Sequence, residues 1–454
     1  MDNLFDLLEK KIKDDKKCFG VNENKFNSYK IDENHLSYIK EIKEVILKET
    51  YLKESGLDKC DFIRLNSYVG SKINTDLRSN DKKEMKGNDI VINNQFKEVT
   101  EENNSEFDFE ELEFEKIVED KLLIVDGSSL LSTSFYATAR DLLFAKTDEQ
   151  KEFAYKKLMQ TSDGVYTNGV YMFFKTLLPL LERQNITHLA VVLDRSRNTF
   201  RRELDPEYKA NRKDTPRPLS SQFKLLTEVL KNINIPVFSH EYYEADDFAG
   251  SIVKRFEEKI PTYLHTKDED YIQLVSEYTK LWMVTGKAED MYNEIGINRK
   301  KLNIPNGIFE YTPKYVKHFK GIDPIQIIDL KAIEGDKSDN IKGVKNVGKT
   351  SSVPLVAHYG SIEEIYINIE GLDTKEEKQL LKFFKEGLGM SRSPIKNMLI
   401  YKEDAFLSKK LATIKTDIDE VQTVELEDLI LNIDKEKMSE VFKELGMNSL
   451  IKKK

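Results

Sequence analysis

Leu122-Leu123-Ile124-Val125-Asp126-Gly127 is a short apolar run that stops on an aspartate and a glycine. The pattern returns at Leu189-Ala190-Val191-Val192-Leu193-Asp194, and Thr262-Tyr263-Leu264-His265-Thr266 stands just ahead of Asp268 and Asp270. Runs of this length, apolar at both odd and even positions, suit strands covered on both faces. Helical spacing fills the intervals, from Val170 to Leu181, Ser220 to Ile233 and Ala245 to Glu258. Buried strands alternating with helices predict an α/β fold: a mostly parallel central sheet flanked by helices. Ligands bind such sheets beyond the carboxyl ends of the strands, which is where these acids fall.

More acids join them at Glu244, Asp246 and Asp247, and at Asp336 and Asp339. Two like charges about 4 Å apart repel by roughly 4 kcal/mol at an effective dielectric near 20. A bound divalent cation turns that penalty into affinity, and hard carboxylate oxygens suit Mg²⁺ or Mn²⁺. Taken singly, an aspartate is usually a helix cap or turn residue, but caps have no reason to gather at one sheet edge. The pattern points to metal-dependent phosphoryl transfer.

The bulk numbers are compatible with this. The 454 residues allow two or three domains, and 39% hydrophobic with 33% charged residues describe a polar globular protein. The only cysteines are Cys18 and Cys60, which excludes a disulfide scaffold and a cysteine zinc site and suits a reducing cytoplasm. Asp2 and Asp6 interrupt any signal peptide, and no apolar run approaches a membrane span. The net charge of −9 weighs against nucleic acid, yet binding follows the local field. Arg195, Arg197, Arg201, Arg202, Lys209, Arg212, Lys213 and Arg217 form one dense basic stretch just after Asp194.

Three regions are expected. Residues 1–120 form an N-terminal extension, helical in part and ending in an acidic linker with interleaved Phe107, Phe109, Leu112 and Phe114. Residues 121–311 form the α/β core. Residues 312–454 are helical, with helices at Pro313 to Phe319 and Ile325 to Ile333.

Six segments occur in one order: LLIVDGSS (122–129), AVVLD (190–194), TFRRELDPEYKANR (199–212), YYEADDFAG (242–250), HTKDEDYIQLV (265–275) and LKAIEGDKSDNIKGVKNVGKT (330–350). Together they resemble the 5′→3′ exonuclease and flap endonuclease family, which includes the 5′-nuclease domain of DNA polymerase I and freestanding phage 5′ nucleases such as phage ribonuclease H. The resemblance spans Lys121 to Tyr359 and loosens beyond. Thr133 stands where polymerase-linked members usually carry an arginine, which leans towards the phage branch.

The resemblance implies a PIN-like 5′-nuclease core followed by a helical domain containing a helix-hairpin-helix. It implies two Mg²⁺ (or Mn²⁺). Asp126, Asp194, Glu244 and Asp246 would hold one; Asp268, Asp270 and Asp336 would hold or bridge to the second; Asp247 and Asp339 would be outer ligands. Arg201, Lys209 and Arg212 would position the scissile phosphate and take up developing charge, with Arg202 and Lys213 binding DNA beside them. The implied substrates are branched, nicked or gapped DNA and RNA–DNA duplex with 5′ ends, cleaved to 5′-phosphate and 3′-hydroxyl products in replication or repair. A monomer in the (host) cytoplasm is expected, away from membranes, with the N-terminal extension docking a replication protein. Residues 137–167 are long enough to arch over single-stranded DNA.

Gly343-Val344-Lys345-Asn346-Val347-Gly348-Lys349-Thr350 also matches the phosphate-loop pattern of NTPases literally. That loop needs a buried strand before it, and the polar stretch from Gly335 to Lys342 offers none. The better reading is the hairpin, with Gly343 and Gly348 allowing a tight turn. Backbone N–H groups at the following helix start, Lys345, Lys349 and Thr350 would then grip a duplex phosphate, and the turn's carbonyls a monovalent cation. The family usually has Pro-Gly inside the hairpin; this chain has Lys345-Asn346 and a shorter spacing. A related acidic-cluster ribonuclease and a non-catalytic structure-specific DNA-binding protein remain the alternatives. The ribonuclease would lack the hairpin and the Asp336–Asp339 pair, and the binding protein would lack inner acids.

Overall fold

The computed structural model describes residues 120–451. The N-terminal extension, with its acidic linker and docking role, therefore lies outside the described residues, Asp120 excepted. β1 (Leu122–Asp126) is followed by α1 (Gly127–Thr138), α2 (Arg140–Phe144), α3 (Asp148–Lys156) and α4 (Asn168–Gln184). β2 (His188–Val192) leads to α5 (Phe200–Leu204) and α6 (Arg217–Asn232), and β3 (Val237–Phe238) to α7 (Ala245–Phe256). β4 (Thr262–Thr266) runs into a 3₁₀ turn (Glu269–Leu274), then β5 (Thr279–Val284), α8 (Ala288–Glu294) and β6 (Ile308–Tyr311). From Thr312 onwards the described elements are helical: α9 (Pro313–Lys320), α10 (Ile327–Glu334), α11 (Lys349–Tyr359), α12 (Ile362–Ile369), α13 (Thr374–Glu386), α14 (Ile395–Ile400), α15 (Lys402–Ala412), α16 (Asp419–Gln422) and α17 (Lys435–Glu444), with short 3₁₀ turns between some of them.

The strands form one sheet in the order β3-β2-β1-β4-β5-β6. β1 pairs in parallel with β2 on one side and β4 on the other, Asp126 standing beside Val192. Only β6 runs antiparallel, against β5, so the sheet is mostly parallel. Its central strands are buried because the pleat sends alternate residues to two cores. Leu122, Ile124, Ala190, Val192 and Leu264 face α7 and the later helices. Leu123, Val125, Leu189 and Val191 face α1, α4, α6 and α17. Each such side chain contributes roughly 1.5–3 kcal/mol on burial. The apolar residues of α10, α11, α12 and α15 continue the α7-side core, whereas α17 returns to the opposite face through Val441 and Phe442.

Strand order reverses between β1 and β4, since β2 and β3 are laid down on one side of β1 and β4 to β6 on the other. The acids at these strand ends therefore share one crevice edge. Gly127 is required there, because a Cβ would press on the Val191 and Leu193 side chains at 2.7 Å.

Candidate active site

Asp126 ends β1 and caps α1, accepting from Ser129 N at 2.8 Å and Thr266 Oγ1 at 2.6 Å. Burial outweighs these bonds and pushes its pKa up to about 6. Asp194, two residues beyond β2, accepts from Ala245 N at 3.0 Å, which ties it to the start of α7. Asp268 accepts from Asp270 N at 2.9 Å. Asp268 is exposed as a residue, yet the crowding of protein around its carboxyl, with Asp126 and Asp339 nearby, raises its pKa. On the first turn of α7, Asp246 is raised far more, by burial and then by Asp247, and its Oδ1 is buried without a hydrogen-bond partner. Asp194 and Asp268 are exposed, while Asp126 is buried.

The other acids have resident cations. Glu244 accepts from Lys209 Nζ at 2.7 Å, Thr199 Oγ1 at 3.0 Å and Tyr208 Oη at 3.1 Å. Burial would raise its pKa, but Lys209 and Arg201 win and lower it. Asp339 accepts from Arg212 Nη2 at 2.6 Å, and Lys209 Nζ lies 3.6 Å away. Lys331 on α10 bridges Asp270 and Asp336, with the Asp336 contact at 2.6 Å. Asp336 falls to about 2, because Lys331 and Ser338 overcome its burial. Asp270 rises to about 7 through burial and Asp268, against the pull of Lys331.

Arg201 and Asp247 lie deeper than the rest, with Arg201 Nη1 still 3.6 Å from Glu244 Oε2. Arg201 is 1% exposed. It grips Asp247 with two bonds of 2.7 Å and donates to the carbonyls of Leu411 and Thr413 at 2.9 Å each. Asp247 also accepts from Lys415 N at 2.9 Å and Glu244 N at 3.0 Å. Arg201 was expected to contact phosphate and Asp247 to be an outer ligand; the structure has both side chains engaged in the core, because their charges neutralise one another there. Lys209 and Arg212 lie closer to solvent. Lys209 holds a left-handed backbone (φ 53°), fixed by its N–H to Asp339 O at 2.8 Å. Arg202 donates to Tyr208 O at 3.2 Å, and Lys213 is exposed.

Sequence reasoning missed Lys331 and the Tyr208 hydroxyl. Lys331 is five residues before Asp336, and only the chain path brings Asp270 to the same amine. Tyr208 is 2% exposed, and its hydroxyl donates to Glu244 and Asp339.

Among the described residues, no three His, Cys, Asp or Glu side chains already close on one point as a metal cluster. The acids share a sheet edge, but lysine and arginine stand among several of them. Asp126, Asp194, Asp246 and Asp268 form the subset without a close cation, the nearest contact being Arg201 Nη1 at 4.0 Å from Asp246 Oδ1. Oxygen-only donors, an unpartnered Oδ1 and mutual repulsion fit a hard divalent cation.

The turn from Gly343 to Gly348 follows α10 and a polar loop rather than a strand. This excludes a phosphate loop. Val344 and Val347 are buried, while Lys345, Asn346, Gly348, Lys349 and Thr350 are exposed at the start of α11. Gly343 is needed: its φ is +63° and a Cβ would collide with Gly335 N and Ile333 O. Gly348 is not the second hinge expected; its φ of −125° is ordinary, and the second left-handed residue of the turn, after Gly343, is Asn346 at 63°.

Residues 121–301 match the N-terminal resolvase-like domain of the 5′-3′ exonuclease family, and residues 322–437 match its C-terminal SAM-fold domain. A 5′-3′ exonuclease of Halalkalibacterium halodurans is 32% identical over 313 residues, 68% of this chain and 88% of that protein. The chain belongs to the 5′-3′ exonuclease family. DNA polymerase I of Bacillus caldotenax is 32% identical over 335 residues, covering 73% of this chain but 32% of the polymerase. The chain thus spans about a third of the polymerase relatives it matches. Among solved structures, T5 5′-exonuclease with bound divalent zinc is similar at 19% identity, covering 73% of this chain and all of that one, with a TM-score of 0.44. No helix among the described residues is long and apolar enough to cross a membrane.

Proposed function

We propose that this chain is a divalent-cation-dependent 5′ nuclease, acting as a 5′→3′ exonuclease and flap endonuclease on branched, nicked or gapped DNA and RNA–DNA duplex. The observation that carries the reading is the acidic edge itself: Asp126, Asp194, Asp246 and Asp268 lie along it with no amine or guanidinium within hydrogen-bond distance, Lys209 and Arg212 being held by the neighbouring Glu244 and Asp339. These four would hold the first Mg²⁺ or Mn²⁺. Asp270 and Asp336, now bridged by Lys331, and Glu244 and Asp339, now paired to Lys209 and Arg212, flank it. A second ion would have to compete with those amines.

The cation supplies a water of lowered pKa and a Lewis acid for phosphate oxygen. The chain's own residues do the rest. Lys209 and Arg212 bring positive charge to the scissile phosphate and neutralise the charge that grows there. Asp194 and Asp268 leave the mouth open to a polynucleotide, while Asp126 and Asp246 form its deeper side. Water adds to phosphorus, the bond from phosphorus to the 3′ oxygen breaks, and the products carry 5′-phosphate and 3′-hydroxyl ends. The turn before α11 would grip duplex phosphate through Lys345, Lys349 and backbone N–H groups. The α2–α3 stretch exposes Leu143, Phe144 and Phe153 near Lys146 and Lys157, a surface suited to unpaired bases and their phosphates.

A 5′-labelled flap tests the reading. Cleavage is expected with Mg²⁺, none with EDTA, and none in Asp194→Asn or Asp268→Asn variants that still bind the flap. Full turnover in both variants would remove the mechanism.

A further inference from the structure

Tyr271 directly follows Asp270 in the 3₁₀ turn behind β4. Its side chain is 1% exposed and packs in the α7-side core. A phenol buried so deeply normally finds a partner for its O–H. Tyr271 Oη has none, and neither does Asp246 Oδ1. After burial, the influences that raise the Tyr271 pKa are Asp126, Asp246, Asp194 and Asp268. These are the four acids that lack a close cation, so the unpartnered hydroxyl lies within electrostatic reach of that group. Packing alone gives no reason for the oxygen: phenylalanine would fill the same space without stranding a polar group in the core.

We propose that Tyr271 is a positioning residue of the acidic centre, its hydroxyl donating to a water oxygen that a divalent cation brings in among Asp126, Asp194, Asp246 and Asp268. The inference rests on reading those acids as a cation site. Carboxylates are acceptors only when ionised, and Tyr271 is a neutral donor set among them. A neutral donor orients a cation-bound water without adding a charge that would repel the ion, as a lysine would. Partners of this kind typically change metal affinity by about 10–100-fold.

The test is Mn²⁺ titration of the full chain without DNA, read by the loss of the free-ion electron paramagnetic resonance signal. Urea unfolding of each variant is measured in parallel. Tyr271→Phe is expected to keep its unfolding midpoint and to bind Mn²⁺ about ten-fold or more weakly. Tyr271→Leu separates positioning from packing. Positioning predicts that Phe and Leu variants lose Mn²⁺ affinity equally, whatever their stabilities. Packing predicts that the Phe variant matches the wild type and only the Leu variant is weakened. A Tyr271→Phe chain that binds Mn²⁺ like the wild type overturns the proposal. Asp246→Asn is the control for the site: if it binds as tightly as the wild type, or if the wild type binds nothing, the cation reading fails and takes this one with it.

Discussion

At the scale of single residues, the largest surprise is Arg201. A basic stretch beside an acidic centre reads as phosphate-binding, the role we propose for Lys209 and Arg212, which here pair with Glu244 and Asp339. Arg201 instead joins α5 to Asp247 and to the carbonyls of Leu411 and Thr413. Removing one partner of a buried ion pair leaves the other charge unpaired, which costs about 3–5 kcal/mol. Arg201→Ala is therefore expected to lower unfolding free energy by that order in urea, with weaker cleavage as a consequence of lost structure. An Arg201→Ala chain of unchanged stability that only binds DNA less well would return the residue to phosphate contact. Lys209→Ala also takes a partner from buried Glu244, which Arg201 and Thr199 continue to hold, so a smaller loss of stability is expected. Its distinguishing mark is kcat on a flap, which should fall about 10²–10³-fold in a chain that is still folded, the usual cost of one charge-stabilising donor.

At the scale of elements, β4 carries a titrating group away from the chemistry. His265 is 3% exposed, and its Nδ1 has no partner. Burial lowers its pKa to about 4. The unfolded chain takes up this proton below about pH 6.5, the folded chain only below about pH 4. The unfolded state thus binds more protons between those values. The stability contribution is full above about pH 6.5 and is lost as pH falls towards 4, amounting to about 3 kcal/mol. Asp126 and Asp270 work the other way, since their raised pKa values favour the protonated folded state. The readout is therefore a difference: between pH 6.5 and 4, a His265→Gln chain should lose less stability than the wild type. Parallel stability curves for the two chains would contradict the assignment. Local sequence showed β1 and β2 plainly, as apolar runs ending at an aspartate, and β4 through its β-favouring residues just ahead of Asp268. It did not show β5 and β6. Thr279–Val284 mixes polar and apolar positions, and β6 is an antiparallel edge strand on which Trp282 Nε1 donates to its register partner Glu310 at 3.0 Å.

At the scale of the molecule, a net charge of −9 has to coexist with the polynucleotide substrate we propose. Exposed Lys345 and Lys349 at the turn before α11 supply local charge of the opposite sign. Each phosphate neutralised adds about 0.9 to the slope of log affinity against log salt. Duplex affinity should therefore fall steeply with salt, and Lys345→Ala with Lys349→Ala should flatten the slope by about two units. A wild-type affinity indifferent to salt, or a double variant with an unchanged slope, would contradict a phosphate grip at the turn.

Sequence alone determined which residues lie at the ends of buried strands, and therefore that carboxylates gather along one edge of a parallel sheet. That information is local: a run of apolar side chains stops, and an acid follows. Only the tertiary structure decided which of those acids meet a cation from the chain itself. Lys331 reaches Asp270 across 61 residues, and Arg201 meets carbonyls 210 and 212 residues away. Such pairings follow from how the helices after the sheet fold back on it. Charge complementarity acts through space, and neither periodicity nor motif spacing records who the neighbour will be.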